Sequence, residues 1–230
     1  MEYKNTVKGI FKNRPNRFIA NVIINGKEET VHVKNTGRCK ELLIEGVTVI
    51  LEESDNTNRK TKYSLISVYK GEKLINMDSQ SPNSVFAEAL IDGKIKEIGS
   101  VDFLKREVKY NNSRFDIYYE KNNKKGFIEV KGVTLEENGV VMFPDAPTER
   151  GTKHILELIE AKKEGYDVGI AFVVQMKDVK YFTPNKERDK KFYDALYKAY
   201  KEGVNIYVYD CIVTENSITL DKKVIGGVIF

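Results

Sequence analysis

Tryptophan is absent from this 230-residue chain, and histidine, cysteine and proline are scarce, at two, two and five residues. Each shortage closes off a class of chemistry. Cys39 and Cys211 lie far apart, match no zinc spacing and form no disulfide framework, so reduced thiols acting as small buried apolar residues are the expectation. His32 and His154 are too few for a histidine-built metal centre. No apolar run reaches the roughly 20 residues that span a bilayer, and the opening MEYKNTVKGI lacks the pattern of a signal peptide. A cytoplasmic protein with no membrane partner is therefore expected. The chain has 41% hydrophobic and 31% charged residues, as soluble globular proteins do. The net charge of +4 is unevenly spread: residues 1–40 hold nine Lys and Arg against three Asp and Glu, whereas residues 81–230 are balanced. That leaves two readings of the first segment, an anionic partner such as nucleic acid or an ordinary lysine-rich surface.

What is present is organised around residues 114–131, RFDIYYEKNNKKGFIEVK. Residues 115–119 and 127–130 are β-prone, and the Lys/Asn/Gly cluster between them turns a hairpin. With the turn centred between Asn122 and Asn123, Asp116 falls opposite Glu129. Alternation along the strand then puts Lys131 on the same face, with Phe115, Ile117, Ile128 and Val130 on the other. Two adjacent carboxylates repel unless a cation lies between them, and their hard oxygens suit Mg²⁺ or Mn²⁺. A lysine beside them can orient a water or steady phosphoryl charge. An Asp…Glu-x-Lys set on a hairpin is similar to the metal site of the PD-(D/E)xK nucleases. The plainer reading is a solvated sheet face carrying a weak ion pair.

Residues 1–80 read as a small OB-like barrel. Strands are expected at 6–11, 18–24, 29–33, 47–51, 62–68 and 74–77, with turns at 14–17 and Asn25-Gly26 and a helical turn at 39–44. Such barrels bind oligonucleotides on a basic, aromatic-dotted face. Lys12, Arg14, Arg17 and Lys34, with Phe11 and Phe18, are the candidates; the alternative puts the phenylalanines in the core. The polar run at 78–84 marks the domain boundary. Ser81 with Pro82, or Asn83, is expected to cap a helix that stops at Gly93 and buries Val85, Phe86, Ala89 and Leu90. Glu88 lies beside that stripe, either reaching the metal site or solvated. After a turn at 136–139, two prolines lead to a helix near Thr148 that ends at Gly165, with Ile155, Leu158 and Ile159 inward. Arg150, Lys153, His154 and Glu157 share one side of it, a phosphate contact or a solvated flank. Buried strands at 168–175 and 204–213 flank a helix at 188–202, which implies a parallel pair.

NTGR at 35–38, SRFD at 113–116, EVKGVTLE at 129–136 and FPDAPTERGTKHILEL at 143–158 together resemble the SfsA family, the sugar fermentation stimulation proteins. The resemblance covers nearly the whole chain. It departs where the family has a Met after NTGR and this chain has Cys39, a conservative exchange into an apolar slot. The resemblance implies a two-domain α+β protein, with an N-terminal OB-like β-barrel (residues 1–80) and a C-terminal α/β PD-(D/E)xK nuclease-like domain (residues 81–230). It also implies DNA binding and a link to sugar (maltose) utilisation. Asp116, Glu129 and Lys131 are its site, with Asp116 and Glu129 as ligands of Mg²⁺ or Mn²⁺ and Glu88 as a helix-borne acid. Three functions remain: metal-dependent phosphodiester hydrolysis, a non-cleaving DNA-binding regulator, or an interaction protein with an incidental acidic cluster. The oligomeric state is open, a homodimer included.

Overall fold

The structure, a computed structural model, describes residues 1–35, 37–56 and 58–230. Thr36 of the NTGR run and Thr57 of the loop before the fifth strand lie outside the described residues. Five strands, β1 (Thr6–Asn16), β2 (Ile19–Ile24), β3 (Lys27–Val33), β4 (Thr48–Glu53) and β5 (Tyr63–Lys70), run in the order β3-β2-β1-β4-β5. A parallel pairing of His32 and Val33 with Ser64 and Leu65 closes them into the expected OB-like barrel. β6 (Lys73–Asn76) adds a hairpin to β5. The turn between β2 and β3 is Asn25-Gly26, both with positive φ (49° and 78°), a twist that matches the two strands it joins. Burial alternates strictly along β2, which is how a barrel strand divides core from solvent.

One local expectation is corrected. β1 does not turn at 14–17 but carries on through Pro15, where its register with β2 shifts. A bulge is one of the few places a strand tolerates proline. The helical turn expected at 39–44 is present as a single turn, with the Leu43 amide donating to the Cys39 carbonyl at 2.9 Å, and it does not extend into a helix. So short a run does not offset the cost of nucleation.

The second half is built on α1 (Ser81–Ile91), β7 (Phe103–Tyr110), β8 (Ser113–Lys121), β9 (Lys124–Val133), β10 (Leu135–Glu137), β11 (Val140–Phe143), α2 (Glu149–Lys163), β12 (Asp167–Val174), β13 (Tyr181–Pro184), α3 (Lys190–Lys201), β14 (Asn205–Val213) and β15 (Ile218–Lys223). Its main sheet has the order β15-β14-β12-β9-β8-β7, with β9, β12 and β14 parallel. Buried on both faces, β12 reads as an unbroken apolar run, and its alternate residues divide between two cores. Ala171 and Val173 join Ile117, Ile128 and Val130 under α1; Ile170 and Phe172 join Phe127, Leu158 and Phe192 under α2 and α3. β13, which sequence patterning misses, pairs in parallel with β11 in a separate three-stranded sheet.

Thr148 caps α2 by accepting from the Gly151 amide at 3.1 Å. α1 has no side-chain cap. Ser81 instead donates to Asn76 Oδ1 at 2.8 Å, inside a buried polar network that also takes in Gln175 and the Asp78 carbonyl. Lys34 of the barrel reaches that network through Asp78 at 3.1 Å. A Cβ on Gly132 would meet Gln175 Oε1 at 2.5 Å and Pro82 Cγ at 2.7 Å, so only glycine lets the start of α1 approach β9 this closely. The network and this approach fix where α1 begins relative to the sheet. The chain start also crosses over: the Tyr3 amide donates to the Asn216 carbonyl at 2.8 Å, beside β15. Among the described residues no helix is long and apolar enough to cross a membrane.

Candidate metal centre and nucleic-acid surface

The hairpin has the register that the turn implies. Asn122 and Asn123 both take positive φ, and Ile117 pairs with Ile128 and Tyr118 with Phe127. The ladder stops there. Asp116 leaves it to accept the Val130 amide on Oδ2 at 2.8 Å, while Oδ1 accepts from Asn83 of α1 at 2.7 Å. This break corrects one facing expectation. Phe115 does not share the α1 core with Ile117; it packs 5.2 Å from the Phe127 ring and 6.3 Å from the His154 ring, on the α2 side.

Glu129 is 2% exposed in the middle of β9. Its Oε1 accepts from Lys131 Nζ at 2.6 Å and meets His154 Nδ1 of α2 in a short hydrogen bond. Its Oε2 is buried without a hydrogen-bond partner. Burial raises the Glu129 carboxyl, but the His154 hydrogen bond and the Lys131 charge outweigh it, and the net shift is downward. Asp116 moves the other way: burial and then the charge of Glu129 push it up to about 6. The structure thus brings Asp116, Glu129 and Lys131 together. One carboxyl is held ionised, the other resists ionisation beside it, and one carboxylate oxygen has no partner.

This donor set fits a hard divalent cation. A cation between the carboxylates would relieve the repulsion on Asp116 and give Glu129 Oε2 a partner. Among the described residues no three His, Cys, Asp or Glu side chains converge as a ready cage. Mg²⁺ commonly takes one or two carboxylates and completes its shell with water and substrate phosphate.

Glu88 is not brought to the cluster, which corrects its expected role. It lies on the outer side of α1, 56% exposed, and its Oε2 accepts from the Met1 ammonium at 2.9 Å. Five residues along a helix turn it away from Asn83, the residue that does meet Asp116. Sequence reading misses both Asn83 and His154 as partners of the carboxylates. His154 lies in the longest of the family-like motifs, but a position beside Arg150 and Lys153 suggests the solvated flank, whereas the side chain is 4% exposed.

Two of the four barrel candidates are committed internally. Arg14 donates to the carbonyls of Gly37, Arg38, Arg17 and Asn35 at 2.6–2.9 Å, so its guanidinium staples the loop that follows β3. Lys34 is bridged to Glu52 at 3.3 Å and Asp78 at 3.1 Å. Neither is a free phosphate contact. Lys12 is exposed and paired with Glu28 at 2.6 Å. The Arg17 guanidinium lies 4.9 Å over the ring of Phe18, which is exposed, while Phe11 is buried in the barrel core. On α2, Arg150 is exposed, and Lys153 donates to the Asn112 carbonyl at 2.9 Å with Glu157 3.8 Å away. Both cysteines are free and buried, and burial pushes the Cys39 thiol up to about 12, so neither is an activated nucleophile.

Comparison with known proteins adds to this geometry. The sequence model of the "Sugar fermentation stimulation protein RE domain" matches residues 80–217, and that of the "SfsA N-terminal OB domain" matches residues 13–77. The sugar fermentation stimulation protein homolog of Alkaliphilus oremlandii is 57% identical over 229 residues, 97% of each chain. That of Clostridium beijerinckii is 57% identical over 220 residues, 96% of each chain. The structure of Pyrococcus furiosus SfsA in complex with Ca²⁺ aligns at a TM-score of 0.89 and 28% identity, over 100% of this chain and 98% of that one.

Proposed function

The chain belongs to the sugar fermentation stimulation protein family, and on that premise we propose that it is a cytoplasmic DNA-binding protein whose Asp116–Glu129–Lys131 cluster holds Mg²⁺ or Mn²⁺ and hydrolyses phosphodiester bonds. The observation that carries this reading is the partnerless buried Oε2 of Glu129 beside an Asp116 carboxyl pushed up to about 6. The Ca²⁺ bound by the Pyrococcus furiosus relative supports it, because Ca²⁺, like Mg²⁺, is a hard cation that prefers oxygen ligands.

A bound divalent ion would supply a water of lowered pKa and charge stabilisation at the phosphoryl group. Asp116 and Glu129 would hold that ion together with the Val130 carbonyl. Asn83 and the Val130 amide fix the rotamer of Asp116, and His154 fixes that of Glu129. Lys131, already within hydrogen-bond distance of Glu129, orients the attacking water and adds positive charge where the phosphate oxygens gather it.

The test is cleavage of end-labelled single-stranded DNA, duplex DNA, RNA and hybrids, with Mg²⁺ or Mn²⁺ against chelator. Glu129→Gln and Lys131→Ala should each lower metal-dependent cutting on the order of 100-fold or more. Cutting that persists in chelator, or in both variants, would remove this cluster from the chemistry. A second reading, a non-cleaving DNA-binding regulator of sugar (maltose) utilisation, is favoured by the position of Glu88. With that acid turned away, only two carboxylates remain to hold a cation. Binding without cutting, unchanged in both variants, would select it.

A further inference from the structure

Between the β7–β8 turn and the first turns of α2 lies an open groove of about 910 Å³. Lys109 and Arg114 line it from the strands, and Arg150 and Lys153 line it from the helix. Glu149 is the one carboxylate in the lining. Arg114 is partly offset by Glu107 at 2.9 Å and Lys153 by Glu157 at 3.8 Å; Lys109 and Arg150 make no ion pair among the described residues. The walls are tied together, because Lys153 Nζ donates to the carbonyl of Asn112 in the turn.

Two buried polar side chains line this groove as well. Ser113 is 7% exposed, and its Oγ has no hydrogen-bond partner. His154 is 4% exposed, and its Nδ1 is the atom that meets Glu129. One imidazole ring therefore separates the groove from the carboxylate cluster. An unpaired hydroxyl in a cationic cleft has an obvious complement in an anionic oxygen acceptor. The cleft is too large for one small anion, and no Phe, Tyr or Trp side chain lines it on which a base could stack. Cations, a hydroxyl and asparagines, with no Phe, Tyr or Trp beside them, are the equipment for gripping phosphates rather than reading bases.

We propose that this groove seats the sugar-phosphate backbone of nucleic acid without regard to sequence. Ser113, Arg150 and Lys153 bind a phosphate next to the one presented to Asp116 and Glu129. The proposal rests on the function given above and relocates its main grip from the barrel to the α/β half.

Anisotropy of a labelled DNA duplex, titrated in chelator so that nothing is cut, tests it. Arg150→Ala with Lys153→Ala should weaken binding about tenfold or more and reduce the slope of log affinity against log salt by about two. Ser113→Ala should weaken it a few-fold, and Arg150→Lys should restore most of what Arg150→Ala alone loses. Lys12→Ala with Arg17→Ala should change it less than twofold. Melting curves separate loss of contact from loss of fold, since the Arg150 side chain makes no hydrogen bond or ion pair among the described residues. Groove variants that bind as wild type, or barrel variants that take the whole loss, overturn the groove. If wild type binds through the groove and never cuts, the groove stands and the hydrolytic reading fails. If wild type cuts while the groove variants bind normally, the reverse holds.

Discussion

The barrel half contains all of the chain's excess positive charge and turns part of it inward; the α/β half is neutral in count yet leaves cations open along one groove. Arg14 and Lys34 look like phosphate ligands in sequence, but both are consumed by carbonyls and carboxylates of the fold. Arg150 lies in a balanced segment and makes no ion pair among the described residues. Net charge measures long-range attraction to a polyanion. It does not say which guanidinium is free to bind, because that depends on what each one already touches.

Four substitutions probe this contrast, in descending order of expected effect. Arg14→Ala should lower the unfolding free energy by about 3 kcal/mol, since four carbonyls lose a charged donor and part of that site is buried. Urea denaturation checks it, and a loss below about 1 kcal/mol would mean the loop after β3 is held by other bonds.

Asp116→Asn should act in the opposite direction. The Asp116 carboxyl titrates near 6 in the fold against 3.8 in the open chain. Its contribution is thus fully favourable below about pH 4 and is lost as pH rises through 6. The Asn variant should be more stable than wild type at pH 8 by about 2–3 kcal/mol, with the gap closing near pH 3.5. Denaturation at the two pH values in chelator reads this directly. An equal gap at both would mean that packing, not charge, sets the difference.

Lys12→Ala and Arg17→Ala should each shift stability by no more than about 0.5 kcal/mol. One breaks an exposed ion pair and the other an exposed cation–π contact. A larger loss in either would show that the outer barrel surface is more ordered than its exposure implies.

Much of this frame is legible in the amino-acid sequence. The turn at Asn122-Asn123 fixes the β8–β9 register, because a two-residue turn with positive φ leaves the flanking strands one pairing. Asn25-Gly26 does the same for β2 and β3. The helices begin and end near Thr148, Gly93 and Gly165 because caps and breakers act on their own neighbours. β13 was not legible: it is four residues long, and its strand character depends on β11, about forty residues earlier. Phe115 was misplaced because the ladder breaks at Asp116, where a carboxylate takes the amide that regular pairing would have used.

Local turn chemistry and strand alternation set the frame of the site. The sequence placed Asp116, Glu129 and Lys131 on one hairpin, closed a barrel from short alternating strands, and carried the motifs of the family, since turn chemistry and alternation operate over a few residues. Which charges are available depends instead on packing across the whole fold. That packing sent Glu88 to the Met1 ammonium, Arg14 to four carbonyls, and His154 inward to Glu129. Those partners lie between 3 and 87 residues away in the chain. No periodicity encodes such meetings; they are set by how whole elements pack, and they fix the protonation and the freedom of the groups on which function depends.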